Sequence, residues 1–422
     1  ATSDADETYL GLTQEDFDST PYRRYASSQL DNITTKHSQY SVKYNIIPTR
    51  FMDVSVTTYR NEFSRNWYKL DAVKYGTNAK VSIANLLDDP STYSDEYSIV
   101  TGQTSPNTDA FYVKANNRSY YSRGIQMATG FNFKTAEIDH DIEIAFRYHQ
   151  DEEDRYQWQD TYAMENDVMK LTTAGTPGTE SNRISTAKAS AAYLQYNLTY
   201  GKFSALPGVR FESIELTQLD YKTADPQRTG ANLTTKDNRV GVWIPGLGIN
   251  YSVTKSLNTF AGIHKGFAPP GFDKDDKPEE SINYEFGARL VTSRLNTQAV
   301  FFYNNYSNLL GSDLAASGGG GTGDLFNAGK ATVAGTELEI QYTFITGSKS
   351  IGVPVSLAYT YTDGKFGSSF DPDTEDWNNV VKGDQIPYLA ANQLTLNAGM
   401  QHRLFDINVS SKYVGVMRTT PG

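Results

Sequence analysis

Along residues 334–344 the side chains Leu338, Ile340, Tyr342 and Phe344 alternate without a slip with Glu337, Glu339, Gln341 and Thr343. Successive side chains of an extended chain point to opposite faces, so this stretch predicts a strand with one apolar and one polar face. The period recurs at 138–149, where Ile138, His140, Ile142, Ile144, Phe146 and Tyr148 interleave with Asp139, Asp141, Glu143, Ala145, Arg147 and His149. It returns through Ile282, Tyr284, Phe286, Ala288 and Leu290, through Leu194, Tyr196, Leu198 and Tyr200, and through Leu394, Leu396, Ala398 and Met400. The longer segments reach the roughly ten residues that a strand needs to cross a bilayer. Two architectures satisfy the pattern: a soluble sandwich whose apolar faces meet each other, and a membrane barrel whose apolar face meets lipid and whose polar face lines a lumen.

The spacing of the segments separates the two. Hairpins are predicted at 38–47 with 51–60, 119–133 with 137–149, 187–200 with 207–216, and 239–251 with 257–265. Three more follow at 282–290 with 296–306, 332–344 with 353–361, and 390–402 with 405–413. Short turns near Pro48, Thr135, Gly201, Thr254, Thr292, Gly347 and Arg403 alternate strictly with long polar connections. The longest connection is expected to run from Asn61 to Asn117, a second passes through Glu152 and Asn182, and the first 36 residues read as an aperiodic loop. Alternating short and long connections are what an up-and-down transmembrane barrel requires, with turns on one rim and extended loops on the other. A propeller would repeat a blade motif every forty to fifty residues or so, and none is found. The fold expected is therefore all-β, an antiparallel up-and-down transmembrane β-barrel of about fourteen strands.

Composition agrees with this reading. The 422 residues hold no run near ~18 apolar residues, which excludes a membrane helix and leaves a barrel open, because a barrel needs lipid-facing residues only at alternate positions. With 29 Tyr and 20 Phe the chain is rich in the rings that form girdles at membrane interfaces. The absence of cysteine excludes disulfide and thiolate chemistry, and a net charge of −11 argues against a nucleic-acid partner. Ala1–Asp6 is polar and does not begin with Met, so the chain reads as a portion of a longer one.

Five motifs, in order, resemble the barrel of the TonB-dependent outer-membrane receptors. They are LPGVRFESIE from Leu206, GFAPPGF from Gly266, PEESINYEFGARL from Pro278, NAGKATVAGTELE from Asn327 and IPYLAANQLTLNAG from Ile386. The tracts ETYLGLTQEDFDSTPYRRY and FSRNWYKL are similar to those of ferric dicitrate and siderophore receptors. The resemblance implies a barrel of about twenty-two strands closed by an N-terminal plug, of which residues 1–422 would supply about fourteen strands of one barrel domain, without the plug and the last strands. It also implies active import of a scarce ferric chelate, with TonB as energy-transmitting partner through the missing N-terminal segment, and outer-membrane lipid and lipopolysaccharide around the barrel. Receptors for cobalamin or saccharides share this barrel, and a passive porin or adhesin shares the alternation. A secreted β enzyme would need acid and base groups converging in a pocket.

No catalytic motif is present, so an enzyme is not expected. The histidines His37, His140, His149, His264 and His402 have no zinc spacing, and His140 and His149 fall on opposite faces of one strand. Gly329–Lys330 lacks the Ser or Thr of a phosphate loop, and Gly318 to Gly321 reads as a loop tip. Asp371, Asp373, Glu375 and Asp376 crowd hard ligands, but Asp376 stands where a calcium loop needs glycine, and neither metal nor cofactor is expected. Asp141, Glu143, Arg147, Glu285, Arg289, Glu337 and Glu339 are expected to face the lumen or a plug, where water or protein can satisfy their charge. An anionic chelate calls for arginines and hydrogen-bonding aromatics at the outer mouth. The predicted strand ends place Arg60, Arg65, Arg123 and Arg155 there, with Trp67, Tyr121 and Trp158.

Overall fold

The computed structural model describes residues 1–8, 10–312, 325–345, 351–370 and 379–419. A short β1 (Thr2–Ala5) leads through the helix α1 (Gln14–Ser19) to β2 (Asn32–Thr49) and β3 (Met52–Val73). After β4 (Val81–Ser82) come the helices α2 (Ile83–Asp88) and α3 (Ser94–Val100), then β5 (Phe111–Thr135), β6 (Ile138–Glu165) and a short β7 (Val168–Thr173). The next strands are β8 (Ser181–Tyr200), β9 (Phe203–Asp220), β10 (Thr234–Ser252), β11 (Leu257–Ala268), β12 (Glu279–Val291) and β13 (Leu295–Asn308). A separate ribbon, β14 (Leu310–Ser312) with β15 (Leu325–Asn327), precedes β16 (Ala331–Ile345), β17 (Ile351–Phe366), β18 (Asn392–His402) and β19 (Phe405–Val414).

Seventeen of these described strands form one sheet. Its long members pair antiparallel with their neighbours in sequence, from β2–β3, β3–β5, β5–β6, β6–β8 and β8–β9 onward to β18–β19. The seven expected hairpins are all present as the long strands of this meander. The acidic run at Asp371, Asp373, Glu375 and Asp376, the run Gly318 to Gly321 and the turn at Gly347 lie outside the described residues.

The strands are much longer than their apolar alternation. β5 and β6 have 25 and 28 residues, and β3 continues to Val73. The stretch from Asn61 to Asn117, expected as a loop, is therefore strand at both ends, and so is much of the stretch between Glu152 and Asn182. The physical reason is that hydrogen bonding between strands does not stop at the bilayer, whereas the demand for an apolar face does. The first 36 residues are likewise not a loop throughout. They carry β1, which pairs with Ile33–Lys36, and α1, whose N-cap Thr13 accepts from the Asp16 amide.

Register fixes the faces, because residues paired across strands share one. One face carries Ile46, Val54, Ile144, Leu194 and Val209 at one level, and Tyr44, Val56, Met127, Phe146, Phe211 and Trp243 at the next. Ile144, Phe146 and Trp243 on it are 50%, 51% and 62% exposed, large rings and chains with no protein over them. From Tyr148 to His140 this belt extends eight residues, about 27 Å along a strand, and tilting reduces it to roughly the height of a hydrocarbon core. The opposite face is polar and also holds three aromatic rings lying across glycines of the neighbouring strand. Tyr59 covers Gly124, Phe260 covers Gly287 and Phe302 covers Gly335, and a Cβ at each glycine would sit 2.5 Å from the nearest atom of that aromatic side chain.

Above the belt, the ends of β3, β5 and β6 carry a small helical cap. Leu70, Val73, Phe111, Val113 and Met164 pack with Ile83 and Leu86 of α2 and with Ile99 and Val100 of α3. Asp16 of α1 is knotted into the cap by hydrogen bonds from the hydroxyls of Tyr25 and Tyr97 and by an ion pair with Arg23 at 2.6 Å.

Candidate ligand site on the interior wall

The seven charges expected in the lumen, Asp141, Glu143, Arg147, Glu285, Arg289, Glu337 and Glu339, all fall on the face opposite the belt. Several are engaged there. Tyr193 donates to Glu143, Arg147 donates to the Tyr59 hydroxyl at 2.9 Å, and Arg289 donates to Gln298 at 2.7 Å.

Register divides the seven mouth residues. Arg60, Tyr121, Arg123 and Trp158 lie on the belt face, whereas Arg65, Trp67 and Arg155 lie on the interior face. Arg60 is also not at a strand end, since β3 runs thirteen residues further to Val73. The expected grouping of all seven at one mouth is corrected accordingly: alternation puts residues an odd number apart on opposite faces.

On the interior face the strands bring together a feature that the sequence did not announce. Arg65 pairs across strands with Arg118, Arg118 with Arg155, Arg155 with Arg183, and Arg183 with Asp220. Four guanidiniums thus stand in one transverse row on β3, β5, β6 and β8, spanning about 14 Å at ~4.8 Å per strand. Glu153 bridges two of them, at 3.0 Å to Arg118 and 2.9 Å to Arg155. Burial pulls the Arg155 pKa down, Glu153 pulls it up, and the like charges of Arg118 and Arg183 lower it further. Two levels higher on the same face, Lys69 pairs with Lys114 and sits 4.4 Å from the Trp67 ring. Each arginine is unremarkable in its own strand; only the four registers together align them.

Directly below the row lies a hollow of about 470 Å³ lined by Phe63, Tyr120, Asp151, Glu153, Ser185 and Phe272. Phe272 belongs to the loop between β11 and β12, which is tied to β10 where the Asn238 amide donates to the carbonyls of Gly271 and Asp273. Phe63 and Tyr120 face each other with ring centroids 5.8 Å apart. The wall therefore offers aromatic surface under a rank of fixed cations, an arrangement able to hold a bulky anion.

The meander, the unpartnered apolar belt and the polar interior define a transmembrane β-barrel of the outer-membrane class. Residues 2–421 match the family model described as TonB dependent receptor-like, beta-barrel. The chain belongs to that family and so to the outer membrane. It is 31% identical over 224 residues to the pesticin receptor of Yersinia enterocolitica, a match covering 50% of this chain and 30% of that receptor, so only part of the relative's length is represented. Among solved structures it is similar to a ferric citrate transporter in its unliganded form, with a TM-score of 0.66 at 16% identity over 96% of this chain and 52% of that one. A siderophore receptor of Acinetobacter baumannii matches with a TM-score of 0.64 at 14% identity, covering 92% and 55% of the two chains. These likenesses carry the fold.

Proposed function

We propose that the protein is an outer-membrane receptor that captures an anionic ferric chelate on the interior wall and passes it inward. The observation that carries this reading is the row Arg65, Arg118, Arg155 and Arg183 above the aromatic hollow. A ferric dicitrate or siderophore complex presents carboxylate or phenolate oxygens around a compact metal centre, which guanidiniums bind by charge-assisted hydrogen bonds. Phe63, Tyr120 and Phe272 supply apolar contact for its organic shell. The structural neighbours, a ferric citrate transporter and a siderophore receptor, support the chemical class. In this reading TonB, acting on a plug, is the partner that supplies work for release, and lipid and lipopolysaccharide surround the belt.

The test is a titration of the purified protein with ferric dicitrate, read by quenching of intrinsic fluorescence. Arg65→Gln with Arg118→Gln removes two charge-assisted contacts and is expected to weaken binding by about tenfold or more. Arg60→Gln with Arg123→Gln, on the other face, is expected to leave it unchanged. Equal affinity in the interior double variant and the parent would remove this site. Tighter binding of cobalamin or a neutral oligosaccharide, unaffected by the arginines, would replace the ligand class.

A further inference from the structure

We infer that the floor of the interior hollow is an ammonium subsite, so that the chelate captured here is dipolar, with an acidic pole at the arginine row and a protonated amine at its far end. The inference rests on the proposed capture of an anionic ferric chelate and names the kind of chelate. Its starting point is a carboxylate that an anion site should not contain. Three acidic residues, Asp151, Glu152 and Glu153, line the hollow. Glu153 is held between Arg118 and Arg155, and Glu152, on the opposite face of β6 by alternation, accepts from the hydroxyls of Tyr121 and Thr186, each at 3.2 Å. Asp151 has no such compensation. Its neighbours in register on the interior face are Gln39, Asn61, Ser122, Ala187, Leu216 and Asn238, none of them charged.

Asp151 is nevertheless held in place from below. The Tyr59 hydroxyl accepts from Arg147 at 2.9 Å and lies 2.6 Å from His149 Nδ1, so its own proton points at that nitrogen. The imidazole proton is then on Nε2, which lies 3.3 Å from Asp151 Oδ2. Oδ1 is left without a partner among the described residues. A second acceptor in the same lining is also unmatched: Asn61 Nδ2 donates to Ser122 at 3.0 Å, while Asn61 Oδ1 is closed off from solvent and accepts no hydrogen bond. A buried acceptor without a donor is destabilising until one arrives. Over this floor stand the rings of Phe63, Tyr120 and Phe272, whose faces attract a cation as well as apolar groups. A carboxylate beneath aromatic walls is the chemistry that recognises an alkylammonium, and it repels a chelate that is anionic on every side. Four residues of β6 separate Arg155 from Asp151, about 13 Å, which sets the distance between the two poles of the ligand.

The experiment titrates the purified protein with two synthetic ferric tris-catecholates, one carrying a single primary amine on an alkyl tether and the other acetylated on that amine. Binding is read by quenching of intrinsic fluorescence at neutral pH. The amine-bearing complex is expected to bind the parent about tenfold more tightly or better, the effect of one charge-assisted contact. Asp151→Asn is expected to abolish that preference while leaving the affinity of the acetylated complex undiminished. Asp139→Asn, on the same face of β6 near its other end and paired with Lys134, is the control and is expected to keep the preference. Equal binding of the two complexes by the parent overturns the inference, as does a preference that survives Asp151→Asn. Should Asp151→Asn not fold, the comparison on the parent decides alone. Arg65→Gln with Arg118→Gln keeps the two readings apart, because it should weaken both complexes alike and leave their ratio unchanged. Loss of the amine preference in an otherwise arginine-dependent parent removes only the ammonium subsite, whereas binding of neither complex removes the anion site and this inference with it.

Discussion

Asp31 is 4% exposed in the cap, where it accepts the Leu70 amide at 3.0 Å and the Thr8 hydroxyl at 2.9 Å. Burial is the dominant influence and raises its pKa from 3.8 to about 6, against the opposing pull of those two hydrogen bonds and of Lys69. The sign follows from proton counting. Between these values the folded cap holds the proton more tightly than the unfolded chain, so its stability falls as pH rises across that window. A shift of about two units corresponds to about 3 kcal/mol of stability, fully present below the ordinary carboxylate pKa and lost as pH rises through about 6. Asp31→Asn keeps an acceptor for the Leu70 amide and has no charge to desolvate. It is therefore expected to stabilise the cap at neutral pH by up to about 3 kcal/mol, and to have little effect near pH 4. Hydrogen exchange of peptides spanning residues 83–100, corrected for intrinsic rates at each pH, reads this directly. Lower protection in Asp31→Asn at neutral pH would show that the charge itself holds the cap, and would refute the reasoning.

The interior rings make a second expectation: Gly287→Val and Gly335→Val force a side chain into Phe260 and Phe302 and should each cost about 1–3 kcal/mol, seen as a lower temperature of heat-modified gel mobility. Gly241→Ala, whose Cβ would meet Phe211 at an ordinary 3.7 Å, should be nearly neutral, and equal losses at all three sites would sink the argument. Phe272→Ala removes one ring from the interior hollow and should weaken ferric dicitrate binding by about tenfold while leaving barrel stability unchanged. An unaltered affinity would place the ligand elsewhere.

Where the sequence was legible, one physical demand operated at every second residue. Ile142, Ile144 and Phe146 must avoid water while Asp141, Glu143 and Arg147 must avoid lipid, so strand, face and hairpin could all be read from alternation. Past Tyr148 that demand lapses. Asp151, Glu152, Glu153 and Asp154 are all polar, although β6 continues through them in regular register, and nothing in their order says strand. The cap left weak traces of another kind. Thr13 three residues before Asp16 is a helix-capping spacing, and Ser82, which accepts the Asn85 amide, opens the apolar Ile83, Leu86 and Leu87 of α2. The arginine row left no trace, since it exists only once four strands are in register.

That dependence on register explains why Arg60 and Arg65 could not be told apart in advance and why they fall on different faces. Five residues separate them on β3, an odd number, so one faces the bilayer rim and the other the lumen. The same five residues put about 17 Å between them along the strand, and the sheet itself lies between. A single strand can thus present cations to both the bilayer side and the lumen, provided their parity differs.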